Sequence, residues 1–131
     1  MSSSAILKGF NNHISEFLED ICQVFPEDPK INTAKNLLFT IKKANPKLLI
    51  RIWHKYITLK YTDEIEKEEI SFFIDKDYST DVSNLNDSSE VVDSINQLRE
   101  PIKNMGEENQ QKCMKYIKNL SNLTKIYFKE E

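Results

Sequence analysis

Tight-turn residues are scarce in this sequence: it holds two Gly and four Pro in 131 residues. A sheet architecture needs many tight turns, and Gly and Pro supply them. The shortage therefore points away from β-folds and toward helices. Long apolar runs are missing as well, since no stretch approaches the roughly 20 residues that a membrane helix requires. The opening Met1-Ser2-Ser3-Ser4 has neither the basic region nor the apolar core of a secretory signal. These features predict an intracellular setting, in cytoplasm, nucleus or virion. Cysteine is limited to Cys22 and Cys113, which fall on the apolar faces of two distant segments. That spacing predicts two reduced core thiols rather than a disulfide scaffold.

The chemical motifs are equally few. Gly9 and Gly106 stand alone, so no Gly-rich phosphate loop exists. There is no G-x-S-x-G elbow for a nucleophilic serine. His13 and His54 have no Cys or second His at ligand spacing, and each reads as a boundary residue of its helix. Asp75, Asp77 and Ser79 copy the first three ligand positions of a calcium loop. The pattern then fails, with Thr80 where a Gly is needed and Asn86 where a bidentate Glu is needed. Nothing here predicts a catalytic residue, a metal site or a cofactor.

What is present is helical periodicity. Leu7, Phe10, Ile14, Phe17, Leu18, Ile21 and Phe25 line one face of a helix over about 5–25, capped from Ser2 to Ser4. Asp28-Pro29 forms a cap and first-turn pair for a second helix running to about Ala44. Asn45-Pro46 repeats that logic and opens a central helix at about 46–61. At 100° per residue, Leu48, Leu49, Ile50, Ile52, Trp53, Tyr56, Ile57, Leu59 and Tyr61 lie on its broad apolar arc. Lys47, Arg51, His54, Lys55 and Thr58 lie opposite. An arc that wide needs more than one neighbour.

Beyond Thr62 the phase fails. A new helix capped by Asp63, with Glu66 at the capping-box position, is predicted to bury Ile65, Ile70, Phe72, Phe73 and Ile74. Residues 70–74 also read as a short strand, but no partner strand is apparent. A polar loop is expected at about 78–88. A fifth helix starts at Ser88 or Ser89, with Pro101 kinking or restarting it. The last helix begins at Glu107-Glu108 and ends near Lys129, which suits the macrodipole. The expected architecture is all-α: one compact domain over 1–131, with five to six amphipathic helices around the central one.

Charge is segregated along the chain. Residues 30–62 carry eight basic residues and no acid, net +8, and residues 63–100 carry net −9. Lys43, Lys47, Arg51 and Lys55 recur every four residues and form one basic stripe. Such a stripe suits an electrostatic contact. It predicts a protein partner or a second copy on an interaction protein that is not an enzyme. Nucleic acid tracking the same stripe is the alternative. Neutralisation of the stripe by residues 63–100 is the competing structural explanation. The overall charge of −3 and the presence of only two Arg, Arg51 and Arg99, favour protein over nucleic acid.

Two stretches, Asn36 to Leu48 (NLLFTIKKANPKL) and Arg99 to Gly106 (REPIKNMG), resemble those of small helical proteins of nucleocytoplasmic large DNA viruses. The abundance of Asn, Lys and Ile is in keeping with that group. The resemblance implies a virus-encoded protein, associated with the virion. It transfers no activity to any position.

Overall fold

In a computed structural model, residues 2–75 and 89–130 are described. The first helix, α1 (Ser3–Val24), starts where Ser2 Oγ accepts a hydrogen bond from the Ala5 amide at 3.2 Å. Helix α2 (Pro29–Ala44) is capped by Asp28, whose Oδ1 accepts from the Lys30 and Ile31 amides. Helix α3 (Leu48–Trp53) runs directly into a π-helical turn (His54–Thr58). Next come α4 (Thr62–Glu66), α5 (Ser71–Ile74), α6 (Ser89–Gln97), α7 (Arg99–Lys103) and α8 (Glu107–Glu130). No strand occurs among the described residues, and Ser71–Ile74 is helical. The polar loop expected at 78–88 lies outside the described residues, as do the calcium-loop positions from Asp77 to Asn86.

The two longest helices, α1 and α8, form the main packed pair, while α2 packs on α6. α3 and its π turn lie against α1, α2, α6 and α8. Ile50 and Trp53 are buried, and the Phe10 ring meets Trp53 edge-on at 6.4 Å. The expected central helix is therefore central. Each large side chain fully withdrawn from water there contributes about 1.5–3 kcal/mol, which makes this cluster the main source of stability.

Three details differ from the sequence reading. First, the central helix does not hold a 100° phase to Tyr61. The Leu59 amide donates to the His54 carbonyl at 3.0 Å, an i to i−5 bond. One extra residue in that turn rotates the residues after it out of phase. Thr58, expected on the polar side, is fully buried, while Leu59, expected in the core, is 63% exposed.

Second, the expected fourth helix is split into α4 and α5. Glu68 adopts φ 57, in the left-handed region. The Glu68 amide reaches the Ile65 carbonyl at 3.0 Å and the Glu69 amide reaches that of Glu64 at 2.9 Å. This pair of bonds closes a helix C-terminus with a left-handed residue, a place that usually goes to Gly. α4 itself begins at Thr62 after Tyr61, so Asp63 is not its cap.

Third, Pro101 sits in the first turn of α7, where its missing N–H leaves no helical bond unmade. The chain restarts there rather than kinking. Buried Arg99 ties α7 to α5, donating to the Phe73 carbonyl at 2.6 Å with its guanidinium 4.2 Å from that ring's centre.

Candidate interaction surface

The four cations singled out from sequence come from three local structures. Lys43 is in the last turn of α2, and Lys47 immediately precedes α3. Arg51 lies within α3, and Lys55 lies in the π turn. Because Asn45-Pro46 separates α2 from α3, the stripe is not the face of one helix. Pro46 has no N–H to continue α2, so the chain turns there. The corner is held from α1, where Asn11 Nδ2 donates to the Pro46 carbonyl at 2.9 Å.

All four cations are exposed. The cause is packing: Leu49, Ile50, Ile52 and Trp53 commit the opposite side of α3 to the core, which turns Lys47 and Arg51 outward. After the π turn, Leu59 and Lys60 follow in the chain, both exposed. Lys55 Nζ lies 5.4 Å from the centre of the half-buried Tyr56 ring.

The acids beyond Thr62 do not neutralise this face among the described residues. Glu66 pairs with Lys125 at 3.7 Å, Glu68 with Lys118 at 3.9 Å and Asp75 with Lys103 at 3.7 Å. These acids face α7 and α8 instead. Among the described residues, no carboxylate lies within ion-pairing distance of Lys43, Lys47, Arg51 or Lys55.

Behind the face runs a chain of polar groups that periodicity had not revealed. Trp53 Nε1 donates to Ser121 Oγ at 3.1 Å, and Ser121 donates to the Ile117 carbonyl. Thr124 Oγ1 donates to the Ser121 carbonyl at 2.7 Å. A hydroxyl has one proton to give. The contacts from Thr58 Oγ1 at 2.8 Å and His54 Nδ1 at 3.0 Å are therefore donated to Thr124. Nδ1 of His54 thus carries a proton. Its ring stacks on Phe128 with centroids 4.4 Å apart. Burial, then the nearby Lys125 charge, lowers its pKa. One signal was available in sequence. Thr124 completes the spacing of Cys113, Ile117, Leu120 and Tyr127, placing a hydroxyl in an apolar row.

The remaining chemical candidates have structural settings. His13 packs against the Tyr116 ring at 4.8 Å, with Nδ1 3.9 Å from Glu16. Burial lowers its pKa, partly offset by Glu16. Cys22 and Cys113 are free and buried. Burial, with Asp20 adding to it, pushes the Cys113 thiol up to about 12, so it stays protonated and unreactive at neutral pH. Among the described residues, no group of three or more His, Cys, Asp or Glu is arranged to hold a metal. No described helix is long and apolar enough to cross a membrane.

No family model, curated protein or solved structure matches this chain.

Proposed function

We propose that this chain is a non-enzymatic interaction protein that receives an acidic partner protein on the face formed by Lys43, Lys47, Arg51 and Lys55. Exposed Leu59, which follows Lys55 in the chain, is the proposed apolar anchor. One observation carries the reading. The four cations are exposed without a carboxylate partner among the described residues, while neighbouring acids pair elsewhere. A charged rim beside an exposed apolar group is the composition of a protein contact, in which charge steers and the apolar group anchors. The resemblance to large-DNA-virus proteins adds a setting to this proposal: a virus-encoded protein packaged in the virion.

The test uses an amphipathic peptide of Glu and Leu as probe, with duplex and single-stranded DNA of equal charge as competitors. Fluorescence anisotropy is expected to show peptide binding that weakens with salt. Charge reversal in K47E/R51E/K55E should abolish it, and Leu59→Ser should weaken it. DNA binding that is tighter than peptide binding and indifferent to Leu59→Ser would replace the protein reading with the nucleic-acid one.

A further inference from the structure

The end of α2 remote from Lys43 carries a surface of opposite character. An open groove of about 620 Å³ is lined by Val24, Phe25, Pro26 and Pro101 together with Glu27 and Glu100. Val24 is one of the few large apolar side chains left exposed, at 37%. Pro26, Glu27 and Glu100 are exposed too. Asp28 also lines the groove, although its carboxylate is occupied in capping α2. Among the described residues, Lys30 is the one cation lining it. The groove lining thus combines apolar side chains with the exposed carboxylates of Glu27 and Glu100.

The basic row has the complementary composition, four cations followed in the chain by the exposed Leu59. The two surfaces are too far apart to satisfy each other within one chain. Pro29 lines the groove and Lys43 belongs to the row. They stand 14 residues apart on α2, about 21 Å at 1.5 Å per residue. α1 spans the same interval, since Asn11 touches the Pro46 corner while Val24 and Phe25 line the groove. The helices that separate the two surfaces are packed, so the spacing is rigid.

From this we infer that the basic row of one copy seats in the groove lined by Glu27 and Glu100 of a second copy, so that the chain associates head to tail. The inference rests on the reading of the row as a docking face and names its partner. Unlike patches pairing across copies make a heterologous contact, which closes into a ring or continues as a filament. Glu27 and Glu100 face Lys47, Arg51 and Lys55, and Leu59 enters beside Val24 and Phe25.

Sedimentation velocity of the full chain at low ionic strength tests this. The wild type is expected to form species larger than a dimer, or a ring, as concentration rises and to revert to monomer in high salt. E27Q/E100Q removes the charge of the groove and K47Q/R51Q/K55Q removes that of the row. Each is expected to be monomeric alone, with association weakened at least tenfold, roughly the scale of losing close charge pairs. Mixed in equal amounts, they retain one row and one groove and should form a 1:1 dimer that grows no further. Circular dichroism confirms folding. Should either multiple variant be unfolded, Glu100→Gln and Lys55→Gln should weaken association in the same direction. A wild type that stays monomeric at all concentrations overturns the inference, as does a mixture that fails to form the 1:1 dimer. If the Glu/Leu peptide still binds wild type but not K47E/R51E/K55E, the docking face stands and only the second copy as partner is wrong. Loss of both results removes both.

Discussion

Thr58 Oγ1 and Thr124 Oγ1 lie 2.8 Å apart, both residues fully buried, although 66 positions separate them in the chain. The contact joins the π turn to α8. It exists because the π turn rotates Thr58 inward, where an α-helical phase would have left it facing water. A buried hydroxyl needs a partner, and Thr124 provides it while giving its own proton to the Ser121 carbonyl. Replacing Thr124 by Val keeps the shape and leaves the Thr58 and His54 donors without an acceptor. The expected loss is about 1–3 kcal/mol. T58V/T124V should cost less than the sum of the two single changes, because the second removes a group already deprived of its partner. Urea denaturation of the four proteins completes the cycle, and strict additivity would show that the pair does not interact.

One turn earlier, Trp53 is buried and its indole N–H donates to Ser121 Oγ. Ser121→Ala should destabilise by about 1–3 kcal/mol, leaving that donor unpaired. Since Trp53 is the only Trp, its emission should lie in the blue in the native protein and move to the red on unfolding. A native spectrum already typical of water-exposed indole would contradict the central position of α3.

Leu59 and Ile57 are near neighbours in sequence with opposite environments, 63% and 2% exposed. Ile57→Ala should cost about 2–5 kcal/mol. Leu59→Ser should change stability by no more than about 0.5 kcal/mol. The thermal midpoints of the two variants check the π turn directly. An undisturbed α-helix would place Leu59 in the core and make Leu59→Ser the damaging change.

Glu68 occupies a left-handed conformation that side chains disfavour by about 1–2 kcal/mol. Its ion pair with Lys118 is partly exposed, and such pairs contribute little. Glu68→Gly should therefore stabilise the protein by about 0.5–1 kcal/mol, after allowing for the greater freedom of Gly in the unfolded chain. A fall in the denaturation midpoint would mean that the Lys118 contact matters more than the backbone strain.

His13 and His54 both have lowered pKa values, chiefly through burial. The unfolded chain then binds protons at a higher pH than the folded one. Their contribution to stability is complete above the ordinary imidazole value of ~6.5 and is lost as pH falls through it toward the folded values. Thermal midpoints measured between about pH 7.5 and 5 should fall on acidification. The drop should be smaller in His54→Gln than in wild type. An equal drop in both would assign the pH dependence to other groups.

The chain's own pattern determined the helical class, the boundaries of α1 and α2 and the placing of Trp53 in the core. Those depend on local rules: apolar spacing, Ser2 and Asp28 as caps, and Pro29 and Pro46 as punctuation. Exposure of Lys47, Arg51 and Lys55 was legible for the same reason, because a wide apolar arc forces its complement outward. Tertiary structure decided the rest. An α-turn and a π-turn differ by one backbone bond, and periodicity cannot register which forms when both leave some apolar residues inside. The π turn goes with packing against α8, where it buries Thr58 against Thr124. Which acids meet which lysines was also a tertiary outcome. Charges couple through space, and the fold brought Glu66, Glu68 and Asp75 to Lys125, Lys118 and Lys103 rather than to the basic row nearer to them in sequence.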